Sequence, residues 1–325
     1  MYQRFFGFRE LPFELTPDPR YLYLTPRYRE ALSNLQYGLS AAKTVTVLIG
    51  EAGTGKTTLL RAALASERCQ NVRTVYLNNP ALTRQEFVEM LARRFELSPE
   101  AAHSKAVLLA ELEAALHARR AHGEITALVI DEAQTLSHEL LEEVRLLANI
   151  ETSTEKLLPL VLAGQPELSD RLEDVGLRQL KQRVALRCTI APFELAETAS
   201  YIAHRIRIAG GEAARAFTRE SVTLIHEHSR GIPRTISVMC DNALVSGFAL
   251  NRQPVDREVI LEVARDFQLR RPAAEAPFEM PVREIEPNAP ASVSITAGAP
   301  AEGTGEMFRQ VAAPKRFSLF GFGRS

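Results

Sequence analysis

The sequence has no tryptophan, only three cysteines and no excess of either charge over its 325 residues. Cys69, Cys188 and Cys240 lie far apart and form no C-x-x-C pair. A scattered, odd set argues against a disulfide framework or a zinc site and fits a reducing cytoplasm. The formal net charge is −1, so no global electrostatic attraction to nucleic acid or membrane is available, and any such binding requires a local patch. No apolar run approaches the ~20 residues of a spanning helix; the longest, around Leu157 to Gly164, reads as a core strand. The start, Met1-Tyr2-Gln3-Arg4-Phe5-Phe6-Gly7-Phe8, lacks the apolar centre of a signal peptide. With 46% hydrophobic and 24% charged residues, the composition is that of an ordinary soluble protein, expected in the cytoplasm.

What is present divides into four stretches. Residues 1–43 carry aromatics and prolines, then helical periodicity from Tyr28 through Leu32, Leu35 and Leu39. Residues 44–192 alternate short β-rich runs (44–49, 72–77, 125–130, 158–163, 184–190) with amphipathic ones such as 83–95 and 104–120. That order predicts an α/β fold, with a five-stranded parallel sheet sandwiched by helices. Residues 193–268 read as four helices, 195–209, 218–228, 233–247 and 255–267, forming a small helical lid domain. Residues 269–325 hold seven of the 18 prolines and little periodicity, which predicts disorder. The end, Lys315-Arg316-Phe317-Ser318-Leu319-Phe320, is basic and aromatic. It is compatible with a docking motif, with a peripheral lipid contact or with no role.

Gly50-Glu51-Ala52-Gly53-Thr54-Gly55-Lys56-Thr57 satisfies G-x-x-x-x-G-K-[ST] between the strand-like run 44–49 and a helical run beginning at Thr58. Glycines there let backbone N–H groups point into one concavity at a helix N-terminus, a cradle for phosphate. Lys56 then reaches the outer phosphates and the Thr57 hydroxyl ligates Mg²⁺. Ala127-Leu128-Val129-Ile130-Asp131-Glu132 is an apolar strand ending in paired acids. Asp131 is expected to hold Mg²⁺ through water and Glu132 to polarise the attacking water, the two side chains pointing to opposite sides of the strand end.

After the fourth strand, Gly164-Gln165-Pro166 presents one amide, Gln165, to the same sheet edge, as a γ-phosphate contact or as a turn. Arg178, Lys181, Arg183 and Arg187 form a basic run around the fifth strand. It reads either as a solvated face or as the source of an arginine finger entering a neighbouring subunit's site. Gly231-Ile232-Pro233-Arg234 opens a lid helix, and Arg234 there is a phosphate sensor or a surface cap.

Together these motifs resemble an AAA+ ATPase of the P-loop NTPase class. More narrowly the chain is similar to the ExeA/GspA branch, the A-type ATPases of general secretion, near those of MSHA-pilus assembly. The narrower likeness rests on Phe6-Gly7-Phe8, Pro12-Phe13, Leu15-Thr16-Pro17-Asp18-Pro19, Tyr28-Arg29-Glu30-Ala31-Leu32, Gly164-Gln165-Pro166-Glu167-Leu168, Gln182-Arg183, Arg205 and Gly231-Ile232-Pro233-Arg234. The resemblance covers about residues 1–268 and implies a phosphate loop of Gly50 through Thr58, with Mg²⁺ on Thr57 and Asp131. It further implies catalytic roles for Lys56 and Glu132, Gln165 as the first sensor, Arg183 as the finger and Arg234 as the second sensor. The aromatic N-terminal segment would pack near adenine, although core filling suits most of Phe5, Phe6 and Phe13 better. Branch members typically continue into a membrane helix and a peptidoglycan-binding domain; this sequence shows neither, so cell-wall anchoring is not expected of it alone.

The expected activity is Mg²⁺-dependent ATP hydrolysis by a homo-oligomer acting on a protein partner in secretion, pilus or exopolysaccharide biogenesis. The expected location is cytoplasmic, compatible with peripheral contact at the inner membrane through the tail. Two alternatives stay open: a DNA-associated, transposition-type ATPase, which the charge balance does not favour, and a nucleotide-dependent scaffold with negligible turnover.

Overall fold

The N-terminal stretch forms a short helix, α1 (Tyr2–Phe6), and a longer one, α2 (Pro26–Ser40). Thr25 caps α2 by accepting from the amide of Tyr28, and Pro26 sits at its first position, where no donor is lost. Strands and helices then alternate: β1 (Val45–Gly50), α3 (Lys56–Leu64), β2 (Val72–Asn78), α4 (Arg84–Phe95), α5 (Lys105–Ala121) and β3 (Ile125–Asp131). They continue with α6 (His138–Leu147), β4 (Leu160–Gly164), α7 (Pro166–Leu172), α8 (Arg178–Lys181) and β5 (Val184–Ile190). The helical part comprises α9 (Leu195–Ile208), α10 (Ala213–Ala216), α11 (Arg219–Ser229), α12 (Pro233–Ala249) and α13 (Arg257–Asp266). This computed structural model describes residues 1–15, 19–78 and 81–269, all within one compact unit. Thr16-Pro17-Asp18, and the expected disordered tail with its basic-aromatic end, lie outside the described residues.

The strands form one parallel sheet in the order β2-β3-β4-β1-β5. Position in that order explains their composition. β1 and β4 are buried at every residue, and β3 at all but Ile125, because helices cover both faces. β2 and β5 lie at the edges and admit Arg73, Thr74, Arg187 and Thr189. Successive residues of each central strand separate into two cores, as a period of two requires. Leu48, Ala127, Val129, Val161 and Ala163 face one core; Val47, Ile49, Leu128, Ile130, Leu160 and Leu162 face the other.

The first of these cores runs from the sheet into the helical part, through Phe193, Tyr201, Ile236, Met239 and Val263, and takes in Tyr2, Phe6, Phe8 and Phe13. The buried N-terminal aromatics therefore fill core. The two helices within residues 1–43 pack in different places. α2 lies along β5 and α3, whereas α1 docks on α12, with Tyr2 donating to Asp241 and Phe5 edge-on to Phe248. Arg9 continues this attachment through its amide to the Ala209 carbonyl, 2.7 Å. The helical part also holds the short α10, which breaks the expected four-helix pattern, and a single parallel bridge between Phe217 and Val255.

Gly231 ties the end of β5 to α12. It adopts φ +72°, its carbonyl accepts from the Phe193 amide at 2.8 Å, and a Cβ there would overlap the Phe193 carbonyl. We expect Gly231→Ala to destabilise the chain by roughly 2 kcal/mol or more, because a left-handed conformation and a backbone overlap both oppose it. The midpoint of urea unfolding measures this; an unchanged midpoint contradicts it.

Candidate functional site

The phosphate-type loop leaves β1 at Gly50 and enters α3 at Lys56, at the carboxyl end of the sheet. Its turn is closed by Thr54, whose amide and hydroxyl both donate to the Glu51 carbonyl, at 3.3 and 2.7 Å. The buried Tyr28 hydroxyl donates to the Thr54 carbonyl at 2.7 Å and approaches the Ala191 carbonyl at 3.4 Å, joining α2, loop and β5. Lys56 is buried, and its ammonium donates to the Gly50 and Glu51 carbonyls at 2.9 and 3.2 Å. Burial lowers its pKa below the ordinary lysine value, opposed by the nearby Glu132 and Asp131 carboxylates. The first-turn amides of α3 have no partner within the helix and face the same concavity as the loop.

Asp131 ends β3 fully buried. Its Oδ2 accepts from Thr57 Oγ1 at 2.6 Å and from the Tyr76 hydroxyl at 2.8 Å, while Oδ1 accepts from the Glu132 amide at 3.0 Å. Burial first, and then the bond to Asp131, pushes the Tyr76 phenol up, so it stays a donor. Glu132 does not continue the strand alternation expected for it. It takes the left-handed conformation, φ 55°, unusual for a side chain with a Cβ. Its carboxylate accepts from Gln134 Nε2 at 2.7 Å and from Gln165 Nε2 at 3.4 Å. Gln134 Oε1 accepts from the Gln165 amide at 3.1 Å, and Arg171 donates to the Gln134 carbonyl at 2.7 Å. The turn after β3 is thus held from β4 and α7.

A cleft of about 340 Å³ opens over this loop. Gly53 through Thr58 and Glu132 form one end; Tyr23, Tyr28, Phe193 and Tyr201 form an aromatic side; Pro233, Arg234 and Ser237 of α12 close it. The Arg234 amide donates to the Gly53 carbonyl at 3.1 Å. Gly53, at φ +81°, could carry no Cβ without crowding Arg234 Cβ at 3.0 Å and Ile232 at 3.1 Å. Arg205 of α9 lines the cleft while donating to the carbonyls of Pro12 and Glu14, at 2.5 and 2.9 Å, and to the Tyr201 hydroxyl at 2.8 Å.

Lys56, Thr57, Thr58, Glu132 and Arg234 meet in this cleft, with Asp131 directly behind Thr57 and Gln165 joined through Glu132. Gly50, Glu51 and Ala52 form the turn leading into it. Arg183 is not part of it. It precedes β5, whose first residue pairs with Val45, roughly 16 Å along the strand from Gly50. There Arg183 adds to burial in lowering the Lys156 pKa. Arg178 is exposed, Lys181 is paired with Glu173, and Arg187 bonds Ser169 and lies 3.9 Å from Glu173. Sequence reasoning missed Tyr28, Tyr76, Gln134 and Arg205 as site-forming groups. Tyr28, Gln134 and Arg205 belonged to the segments that carry the family likeness but had no role assigned in the site, and Tyr76 had no signal; Tyr28, Tyr76 and Arg205 act across the fold.

The donor set suits a nucleotide-bound Mg²⁺. A hydroxyl and a carboxylate meet at Thr57 and Asp131 beside the phosphate loop, and Mg²⁺ favours a few hard oxygen ligands completed by water and phosphate. Among the described residues, no group of three or more His, Cys, Asp or Glu forms an all-protein cage. No helix of the described residues is long and apolar enough to cross a membrane.

Comparison with known proteins bears on the family and the fold. Residues 40–172 match the family described as AAA domain. The chain is 38% identical over 249 residues to General secretion pathway protein A of Aeromonas hydrophila, a match covering 77% of this chain and 45% of that protein. It thus spans about half the length of that relative. Among solved structures, the fold is similar to the ORC2 protein of Aeropyrum pernix in its ADPNP-ADP complexes (TM-score 0.58, 17% identity, 78% of this chain and 71% of that chain). It is likewise similar to Cdc6p of Pyrobaculum aerophilum (TM-score 0.59, 17% identity, 78% and 70%). At such identity these structures show the fold alone.

The Tyr28 hydroxyl is the contact that fixes the loop from behind. Tyr28→Phe leaves the buried Thr54 carbonyl without this donor, and is expected to cost about 1–2 kcal/mol of stability. Chemical denaturation measures it, and a loss below about 0.3 kcal/mol would show that the bond does not restrain the loop.

Proposed function

Because the chain belongs to the AAA+ family and is similar to General secretion pathway protein A, we propose that it binds Mg²⁺-ATP in the cleft and hydrolyses it. The observation that carries this reading is the convergence of Lys56, Thr57, Asp131, Glu132 and Arg234 on one concavity, reached from the loop, β3 and α12. In this reading Lys56 and the loop amides hold the β- and γ-phosphates, and Thr57 and Asp131 hold the metal. The bound metal supplies neutralisation of phosphate charge. Glu132, oriented by Gln134 and Gln165, accepts a hydrogen bond from the attacking water and aligns it. Gln165 then reports the state of Glu132 to β4. Arg234 adds a cation from α12, so the helical part responds to the phosphates. The aromatic side of the cleft takes the adenine.

Arg183 stands away from its own chain's cleft, which suits a finger supplied to a neighbouring copy in a homo-oligomer. The wider role we infer is that of an ATP-driven motor or switch for a protein partner in secretion or a related cell-envelope assembly, working from the cytoplasmic side. The named relative supports this.

Two experiments test the site. Lys56→Ala is expected to weaken ATP binding at least tenfold, roughly 1.4 kcal/mol or more. Glu132→Gln is expected to retain binding and lose phosphate release by roughly 100-fold or more; normal turnover in that variant contradicts the role of Glu132. The finger has its own test. Phosphate release per chain should rise with protein concentration in the wild type and lose that dependence in Arg183→Ala. A concentration-independent wild-type rate would mean that each chain completes its own site.

A further inference from the structure

We propose that Tyr76 is a positioning residue for the metal site, fixing Asp131 from the edge strand so that the carboxylate and the Thr57 hydroxyl present one preformed pair of oxygens. The inference rests on the ATP-site reading above and adds a residue to it.

The placement is specific. Tyr76 is aligned with Val129 in the β2–β3 ladder, two residues before Asp131, which is itself aligned with Asn78. Its ring packs against the core on the α3 side, and its hydroxyl reaches along the sheet toward the carboxyl edge. There it meets the same oxygen, Oδ2, that Thr57 Oγ1 donates to, at 2.8 and 2.6 Å respectively. With the Glu132 amide on Oδ1 at 3.0 Å, the buried carboxylate has donors on both oxygens and its rotation is restrained.

These donors act differently. The Thr57 hydroxyl offers a lone pair to a metal while its proton points at Asp131, so it belongs to the metal site itself. The Glu132 amide is backbone and moves with the turn. Tyr76 comes from a separate strand and therefore sets the orientation independently of the loop and the turn. Partners of this kind orient ligands and commonly change metal affinity by about 10–100-fold when removed. A carboxylate released from Tyr76 gains rotational freedom and must be reordered each time metal binds. Thr57 on Oδ2 and the Glu132 amide on Oδ1 would then have to hold it, both of them on segments that form the site itself.

The test is Mg²⁺ titration of the full chain in the presence of a fluorescent ATP analogue, read as nucleotide affinity against free Mg²⁺. Tyr76→Phe keeps the ring and removes the hydroxyl. We expect it to bind the analogue in EDTA as the wild type does, while the Mg²⁺ midpoint rises about tenfold. Tyr76→Phe added to Asp131→Asn should shift the midpoint no further than Asp131→Asn alone, since the effect passes through that carboxylate. Equal midpoints for Tyr76→Phe and the wild type would overturn the inference, as would additive shifts in the double variant. Weakened binding of Tyr76→Phe in EDTA would also overturn it, by showing a general effect on the fold. A wild-type chain that binds no analogue would instead overturn the ATP-site reading and this inference with it.

Discussion

The amide of Arg234 donating to the carbonyl of Gly53, 3.1 Å away, is the contact on which the rest of the site depends. It places the start of α12 directly on the phosphate-type loop. The loop therefore belongs mechanically to the sheet layer through β1 and to the helical part through α12. Only glycine suits position 53, where φ is +81° and a Cβ would press on Ile232 and Arg234. A side chain there would crowd the junction of the loop with α12.

The other restraints reinforce this junction from behind. Tyr28 fixes the Thr54 carbonyl, and Gly231 lets α12 approach the end of β5. Arg205 holds Pro12 and Glu14 onto α9, with its guanidinium over the Tyr21 ring at 4.7 Å. The cleft is thus bounded by the sheet edge, by the N-terminal stretch and by the helical part. A ligand filling it would contact all three, which would couple them under the ATP-site reading proposed above. Such coupling needs no long relay, because the parts already share one core.

Much of this was legible in the sequence wherever the signal was local. The loop from Gly50 to Thr57 and the Asp131-Glu132 pair are short motifs readable from spacing alone, and the structure places both at the carboxyl edge of the sheet. The central strands were legible because burial on both faces demands continuous apolar runs. The strand order was not, since β2 and β5 differ from the interior only by a few polar residues. Tyr76, Tyr28 and Arg205 find their partners 55, 26 and 193 residues away, and no periodicity announces such pairs. The backbone at Glu132 was not legible for a different cause. Strand alternation was expected to continue there, whereas the chain turns through a left-handed residue at that position. The attachment of α1 to α12 was likewise hidden, because an aromatic helix has no intrinsic preference between two apolar surfaces.

Hydrogen–deuterium exchange with and without Mg²⁺-ATP tests the central claim most directly, that the loop and α12 respond to one ligand as one unit. The account predicts that amides of residues 53–58 and of 234–237 gain protection together, at the same nucleotide concentration. Protection confined to the loop, with 234–237 unchanged at saturation, would contradict it.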